Sequence, residues 1–238
     1  MSSALDKAAA GTLFGVALNY QGLLRSRLEE FQQPPYQKPP VKPVLFIKTS
    51  NTRNGHDQPV VFPAGVERLQ PGPALGVVIG KDASRVSEAD AMNHVAGYLI
   101  VNEFSLPEDS YYRPAVKAKC RDGFCPIGPE LVPASQIANP NALGIRLLVN
   151  GELRQQNSTA NWVRNIPQLI AELSEFMTAP LKRRSGPGAK GLNCETIILC
   201  RKLRPKLNIT AQIAGMPGTR KDFVYVRRES KTPVLSTF

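Results

Sequence analysis

Charged side chains stand beside apolar runs, at positions where they could line a polar pocket. Lys48 ends one such run, and Glu103 comes just after another. Lys119 lies in a polar loop, with Arg113 before it and Asp122 after it. Ammonium and guanidinium groups bind carboxylates through charge-assisted hydrogen bonds, and a carboxylate can also ligate a hard cation. These residue types would suit a site for a small, multiply anionic molecule.

The same residues also have plainer interpretations. Glu103 at the end of a strand could be a solvated or salt-bridged carboxylate. Lys119, with Lys117 and Arg121 close by, could belong to an ordinary basic surface, and Lys48 leaves the same two possibilities open. The residues alone therefore do not decide between a pocket and a charged face.

The elements that must position these residues are mostly short and apolar. Such runs predict strands, and the alternation of apolar residues before Asn150-Gly151 predicts a hairpin. Helices are expected where Ser87 and Asp90 resemble a capping box, and where Pro167 precedes apolar residues on one helical face. The predicted strands are 13–18, 44–47, 60–62, 75–79, 97–101 and 143–149. The predicted helices are 88–96 and 166–177, and a polar, helix-like stretch is expected from the end of the first strand to about residue 33. The fold class expected is mixed α/β, rich in strands.

Composition excludes several classes of protein. No run of 18 or more apolar residues occurs, so no membrane segment is expected, and without a signal-peptide pattern a cytoplasmic location is expected. The spacings within the cysteine pairs, Cys120 with Cys125 and Cys194 with Cys200, do not resemble common zinc motifs. Reduced structural thiols are the expected state.

The net charge of +11 is concentrated near the C-terminus. Residues 180–238 contain 13 Lys/Arg and 3 Asp/Glu, a net charge of +10, and the preceding residues carry only +1. A nucleic-acid-binding protein is therefore the least favoured interpretation, because the main body is nearly neutral and the basic segment shows no binding motif. No nucleic-acid partner is expected.

Several segments, taken in order, resemble the fumarylacetoacetate hydrolase family. They are 15–20 (GVALNY), 46–48 (FIK) with 54–55 (NG), 77–81 (VVIGK), 89–105 (ADAMNHVAGYLIVNEFS), 119–129 (KCRDGFCPIGP), 150–156 (NGELRQQ) and 173–178 (LSEFMT). The segment 111–126 (YYRPAVKAKCRDGFCP) resembles, more particularly, the isomerase/decarboxylase branch of the family that serves 4-hydroxyphenylacetate catabolism. The resemblance implies a family domain at 12–178, after an N-terminal tail of residues 1–11.

That resemblance implies a chemistry and a set of roles. The substrates would be 5-oxopent-3-ene-1,2,5-tricarboxylate, which loses CO2, and 2-hydroxyhepta-2,4-dienedioate, which isomerises. Lys119 and Glu103 would be catalytic, and Lys48, Arg113 and Asp122 would bind the substrate. Members of the family hold Mg2+ or Mn2+, which would stabilise an enolate as a Lewis acid.

The resemblance also implies that most of the metal site is missing. The two Glu ligands of the family fall on Gly72 and Ala74, which leaves Glu103 as a weak, single carboxylate ligand. The metal would then belong to a second, metal-bearing half or subunit, and a homo-oligomer is a further possibility. The alternative is that this half is a non-catalytic scaffold for a catalytic partner.

Residues 179–238 depart from the family pattern. The closing strands of the family are expected to be missing or altered there, and this basic, atypical tail is expected to be poorly folded. Either a change of reading frame or a replaced C-terminal extension would explain the segment. The abrupt rise in positive charge favours the change of reading frame, since out-of-frame translation ignores charge balance.

Overall fold

The computed structural model describes residues 12–108 and 110–177, and beyond them the backbone of six short strands. The predicted N-terminal tail and Cys194 lie outside the described residues, as does the rest of the predicted C-terminal tail. The strands are β1 (Leu13–Ala17), β2 (Val44–Lys48), β3 (Arg53–Asn54), β4 (Val60–Phe62), β5 (Pro73–Ile79), β6 (Val95–Asn102), β7 (Cys125–Pro126), β8 (Val132–Pro133), β9 (Gly144–Val149), β10 (Glu152–Ser158), β11 (Lys182–Arg183), β12 (Leu192–Asn193), β13 (Thr196–Cys200), β14 (Ile209–Ala214), β15 (Asp222–Val224) and β16 (Val226–Arg228). The α-helices are α1 (Gln21–Arg25), α2 (Leu28–Phe31), α3 (Val116–Lys119) and α4 (Ile166–Phe176).

The larger sheet has six strands in the order β2-β1-β13-β5-β6-β8. β1 and β13 run parallel, and the other neighbours are antiparallel. Every residue of β5 is buried, which explains why its sequence is continuously apolar rather than alternating. Leu75, Val77 and Ile79 belong to the core that packs against α4, while Ala74 and Val78 belong to a second core cluster.

A second sheet has four strands in the order β10-β9-β14-β15. The predicted hairpin between β9 and β10 is confirmed. Asn150 and Gly151 connect the two strands with φ angles of 53° and 82°, the left-handed conformation that this residue pair adopts in tight hairpin turns.

Helix α4 covers the larger sheet, and the predicted helix at 166–177 is confirmed to within one residue. Asn165 accepts a hydrogen bond from the backbone N–H of Gln168, whose side chain in turn accepts one from the N–H of Asn165. This capping box fixes the first turn, and Leu169, Ile170 and Leu173 then face the core. Within the described residues, no helix is long and apolar enough to cross a membrane.

The helix predicted at 88–96 is wrong. Ser87 and Asp90 do form the expected side-chain hydrogen bond, at 3.0 Å, but only the 3₁₀ turn Ala91–His94 follows. β6 already begins at Val95, and the N–H of Gly80 donates to the carbonyl of His94 where β5 connects to β6. The long β5–β6 pairing overrides the local helical signal.

The mixed α/β, strand-rich fold class is confirmed, whereas the prediction that closing strands are missing is not. β13 lies between β1 and β5 and pairs with both, and β14 pairs with β9 along its length. Strands from the basic C-terminal segment therefore take part in both sheets.

Candidate active site

Glu103 stands where the two longest strands of the larger sheet meet. The register of β5 and β6 pairs Pro73 with Asn102, and one residue further the N–H of Glu103 donates to the carbonyl of Gly72 at 2.8 Å. Buried apolar neighbours surround this strand end, and the Glu103 side chain is 0% exposed. A buried carboxylate must be paired with a cation or well hydrogen-bonded, which raises the question of its partners.

Lys48 is the first of those partners. It ends β2, and its Nζ lies 2.7 Å from Oε1 of Glu103, with both side chains 0% exposed. The same ammonium donates to the main-chain carbonyls of Phe104, Lys119 and Phe124 at 2.6, 2.7 and 3.3 Å. Lys48 therefore ties β2 to the two loops that follow β6 and α3.

Lys119 is the second partner, and it joins two carboxylates. Its Nζ lies 3.2 Å from each oxygen of Glu103 and 3.4 Å from Oε1 of Glu108. The same ammonium sits 3.8 Å from the centre of the Phe46 ring, a cation–π contact. Gly15, opposite Phe46 on β1, makes room for that ring, because a Cβ atom at Gly15 would lie 2.0 Å from it.

These four charged side chains form a buried cluster: Lys48, Glu103, Glu108 and Lys119. Two ammonium groups face two carboxylates, so the formal charges of the cluster balance. The side chains of all four are at most 5% exposed. Opposite charges held together in a medium of low dielectric constant interact far more strongly than they would in water.

The cluster opens on a cavity of about 210 Å³. Lys119 and Glu108 form its inner wall, and Arg113 lies in its lining at an exposed position. A neighbouring cavity of about 370 Å³ shares Val44, Tyr111 and Tyr112 with it, and the rest of its lining is mostly apolar and rich in proline. Cationic side chains at the wall of one cavity therefore lie beside a second, more apolar cavity.

The structure brings only some of the predicted site residues together around the cavity. Lys48, Glu103 and Lys119 meet in the cluster, and Arg113 lines the cavity. Lys48 is not among the cavity-lining residues, since its ammonium is directed to Glu103 and to main-chain carbonyls. Asp122 is exposed, lies outside that lining and accepts a hydrogen bond from the Asn51 amide at 2.6 Å.

Glu108 was missed by the sequence reasoning. It comes five residues after Glu103, and nothing in its type or spacing sets it apart from other acidic residues of that polar loop. Only the course of the loop brings it back onto Lys119.

The described side chains of the cluster do not fit a divalent cation. Gly72 and Ala74 carry no ligating oxygen in their side chains, and both oxygens of Glu103 already face the Lys119 ammonium. Among the described residues, no group of three His, Cys, Asp or Glu side chains is placed to hold a metal ion. Mg2+ needs several oxygen ligands, and the two carboxylates described in the cluster, Glu103 and Glu108, both contact the Lys119 ammonium instead.

Cys125 lies beneath the cluster as a fully buried free thiol. Burial raises its pKa to about 12, although the nearby Lys48 ammonium acts in the opposite direction. The thiol is therefore protonated at neutral pH and does not act as a nucleophile. Cys120, the other free thiol described, donates to the carbonyl of Ile47 at 3.3 Å.

Comparison with known proteins gives the class to which this fold and site belong. The model of the fumarylacetoacetate (FAA) hydrolase C-terminal family matches residues 12–182. The chain therefore belongs to the fumarylacetoacetate hydrolase family.

Two individual relatives show which enzymes of the family this chain resembles. The chain is 48% identical over 168 residues to the 4-hydroxyphenylacetate degradation bifunctional isomerase/decarboxylase of Escherichia coli, an alignment that covers 71% of this chain and 38% of that protein. It is 37% identical over 144 residues to a mitochondrial oxaloacetate tautomerase of Caenorhabditis elegans, covering 58% of this chain and 67% of the relative. The chain is thus related to isomerase/decarboxylase enzymes, and it spans well under half the length of the E. coli relative.

Solved structures agree on the fold. The crystal structure of 2-hydroxyhepta-2,4-diene-1,7-dioate isomerase from Mycobacterium marinum superposes with a TM-score of 0.72 at 23% identity. The match covers 94% of this chain and 77% of that one. At this identity the comparison shows a shared fold.

Proposed function

We propose that the chain is one half, or one subunit, of an isomerase/decarboxylase of 4-hydroxyphenylacetate catabolism. Its substrates would be 5-oxopent-3-ene-1,2,5-tricarboxylate and 2-hydroxyhepta-2,4-dienedioate, both small anionic oxo or hydroxy acids. The observation that carries the proposal is the Lys119 ammonium, held by buried carboxylates at the wall of a cavity that Arg113 also lines. The E. coli relative, by its name, catalyses this pair of reaction types.

The two reactions have a common requirement. The tricarboxylate loses CO2 from C2, which C3=C4 conjugates with the oxo group at C5, so negative charge develops on the C5 oxygen. Migration of the double bonds of the hydroxydiene places negative charge on its C2 oxygen. In both substrates this oxygen lies beside a terminal carboxylate. A preorganised ammonium near that oxygen stabilises the charge without reorganising solvent. Lys119 can supply it, since the contacts with Glu103 and Phe46 fix the position of its Nζ.

The remaining residues would bind and position the substrate. Arg113, exposed in the cavity lining, can pair with a substrate carboxylate through its planar, forked guanidinium group. Lys48 positions Glu103 and the carbonyl of Lys119, so it would act on the site indirectly. In a full assembly, Mg2+ or Mn2+ would be held by a second, metal-bearing half.

A second candidate function is a non-catalytic scaffold for that metal-bearing half. Gly72 and Ala74 at the family's ligand positions favour it, and so does a charge cluster that balances without a metal ion. Under this alternative the cluster would stabilise the fold, and the cavity would not turn over a substrate.

The decisive experiment follows the ultraviolet absorbance of the oxo-tricarboxylate in the presence of the purified chain. It is run with Mg2+, with a chelator, and with a metal-bearing half of a family relative added. Turnover by the chain alone that survives the chelator and is lost in Lys119→Met supports the catalytic proposal. Turnover only with the added half identifies a scaffold, and decay at the buffer rate in every arm contradicts both functions.

A further inference from the structure

Two carboxylates contact Lys119, and they differ in where they lie. Glu103 is completely buried behind the ammonium and is shared with Lys48. The Glu108 side chain is 5% exposed, lies in the cavity lining, and approaches Lys119 at 3.4 Å. Glu108 is therefore the carboxylate of this cluster that a molecule in the cavity could touch.

We propose that Glu108 is the proton-transferring group of this cavity, acting on 2-oxo acids and their enols. The inference rests on the proposed function and deepens it, because it assigns the acid–base step to a particular side chain. A carboxyl group within reach of the reacting atoms is a common choice for such catalysis.

The other ionisable groups of the lining are poorly suited to this step. Lys119 is paired with carboxylates, and neither its ammonium nor the Arg113 guanidinium has a lone pair to accept a proton. Tyr111 and Tyr112 carry phenolic hydroxyl groups, which are weaker bases than a carboxylate. The Glu108 carboxylate can accept a proton, while the adjacent Lys119 ammonium stabilises the oxyanion that forms.

The isomerisation step balances with these groups alone. The carboxylate of Glu108 takes the proton of the C2 hydroxyl as that O–H bond breaks. The C2–O bond becomes a carbonyl, and the two double bonds C2=C3 and C4=C5 are replaced by a single one, C3=C4. C5 then takes a proton from the Glu108 carboxylic acid. The product is an isomer of the substrate, so no oxidant or reductant is required.

The test measures proton transfer without requiring the full reaction. The saturated probe 2-oxoheptanedioate exchanges its C3 hydrogens for deuterium when it enolises, and proton NMR in D2O follows the loss of their signal. The wild-type chain is expected to catalyse this exchange. Glu108→Ala and Glu108→Gln are expected to lose roughly 100-fold or more of the rate, the usual contribution of a positioned acid–base group.

Three comparisons separate proton transfer from a structural role. Added formate should restore exchange in Glu108→Ala, where it can fill the vacated space, and not in Glu108→Gln. KM for the probe should change little in Glu108→Gln, because the loss falls on kcat. Glu130→Gln, at an exposed position outside the cavity lining, is the matched control and should exchange at the wild-type rate.

The outcomes distinguish this inference from the proposed function. Exchange that depends on Glu108 in a protein that leaves the natural substrates unchanged would support the inference and overturn the proposed substrates. Unimpaired exchange in both Glu108 variants would overturn the inference while leaving the proposed function standing. A wild-type chain that exchanges the probe at the buffer rate would overturn the inference as well.

Discussion

At the scale of single residues, the central feature is a set of four buried charges that compensate one another. Moving a lone ammonium or carboxylate into a protein interior costs several kcal/mol even after relaxation, so each of these groups depends on its partners. Lys48 has an ion-pair partner and three carbonyl acceptors, and Lys119 has two carboxylates and an aromatic ring. Glu103 belongs to both sets and therefore links them.

That position leads to a prediction for Glu103→Gln. The substitution keeps the shape of the side chain but leaves two buried ammonium groups short of a negative charge. We expect the free energy of unfolding to fall by about 3–5 kcal/mol, the usual cost of breaking a buried pair. Urea denaturation followed by circular dichroism measures it.

The matched control is the same substitution in an exposed ion pair. Glu152 lies 2.7 Å from Arg154, with the two side chains 70% and 55% exposed. Glu152→Gln should cost less than about 1 kcal/mol, because water screens such pairs. Equal losses at the two sites would show that the buried cluster contributes no more than a surface contact.

Sequence reasoning could find part of this cluster. Lys48 and Glu103 are conspicuous because each follows an apolar run, and Lys119 stands out by its place in a loop that resembles the family. Glu108 could not be found this way, because its contact depends on the path of the loop between β6 and α3. Asp122 shows the opposite case, because it was expected to bind the substrate and the structure places it at an exposed position.

At the scale of elements, the site depends on how strand ends are brought together. Antiparallel pairing of β5 with β6 sets Gly72 beside Glu103, and β2 delivers Lys48 from the far edge of the same sheet. Strand positions were predictable because buried strands leave long apolar runs. The register of the strands could not be predicted from the sequence. A weak capping signal at Ser87 led to a predicted helix, and β6 begins within that predicted range.

Gly15 shows how tightly one strand pair supports the site. Phe46 lies across Gly15 and contacts the Lys119 ammonium, and a methyl group at Gly15 would overlap the ring. We expect Gly15→Ala to lower the free energy of unfolding by about 1–3 kcal/mol, the typical cost of overpacking. It should also lower any Lys119-dependent activity, because the ring must move from its place beneath the ammonium.

Gly22→Ala is the control for this prediction. Gly22 lies in helix α1, and nothing lies within 4 Å of where its Cβ would be. Alanine there should be neutral or should stabilise the chain by up to about 1 kcal/mol, since glycine is the poorer helix former. Urea midpoints of the two variants make the comparison, and a wild-type midpoint for Gly15→Ala would mean that Phe46 can turn aside freely.

At the scale of the whole molecule, the C-terminal segment is where sequence and structure diverge most. Its positive charge and lack of persistent periodicity led to the expectation of a poorly folded tail, yet β13 occupies the middle of the larger sheet. Periodicity is a weak guide for a five-residue strand whose neighbours come from distant parts of the chain. Without β13, β1 and β5 would each lose a hydrogen-bonded neighbour.

A proline in β13 tests whether this segment is integral to the fold. Position 198 pairs with Gly15 on one side and with Gly76 on the other, so its backbone lies within the sheet. Proline has no N–H to donate, and inside a central strand it also breaks the ladder, so Ile198→Pro should cost roughly 3 kcal/mol or more. Ile198→Val keeps the N–H and the β-branched shape and should stay within about 1.5 kcal/mol of the wild type. Thermal and urea unfolding of the two variants measure the difference. If β13 is integral to the sheet, proline destabilises the chain far more than valine does. Equal stabilities would mean that the 12–178 region holds its sheet without β13, as the expectation of a poorly folded tail requires.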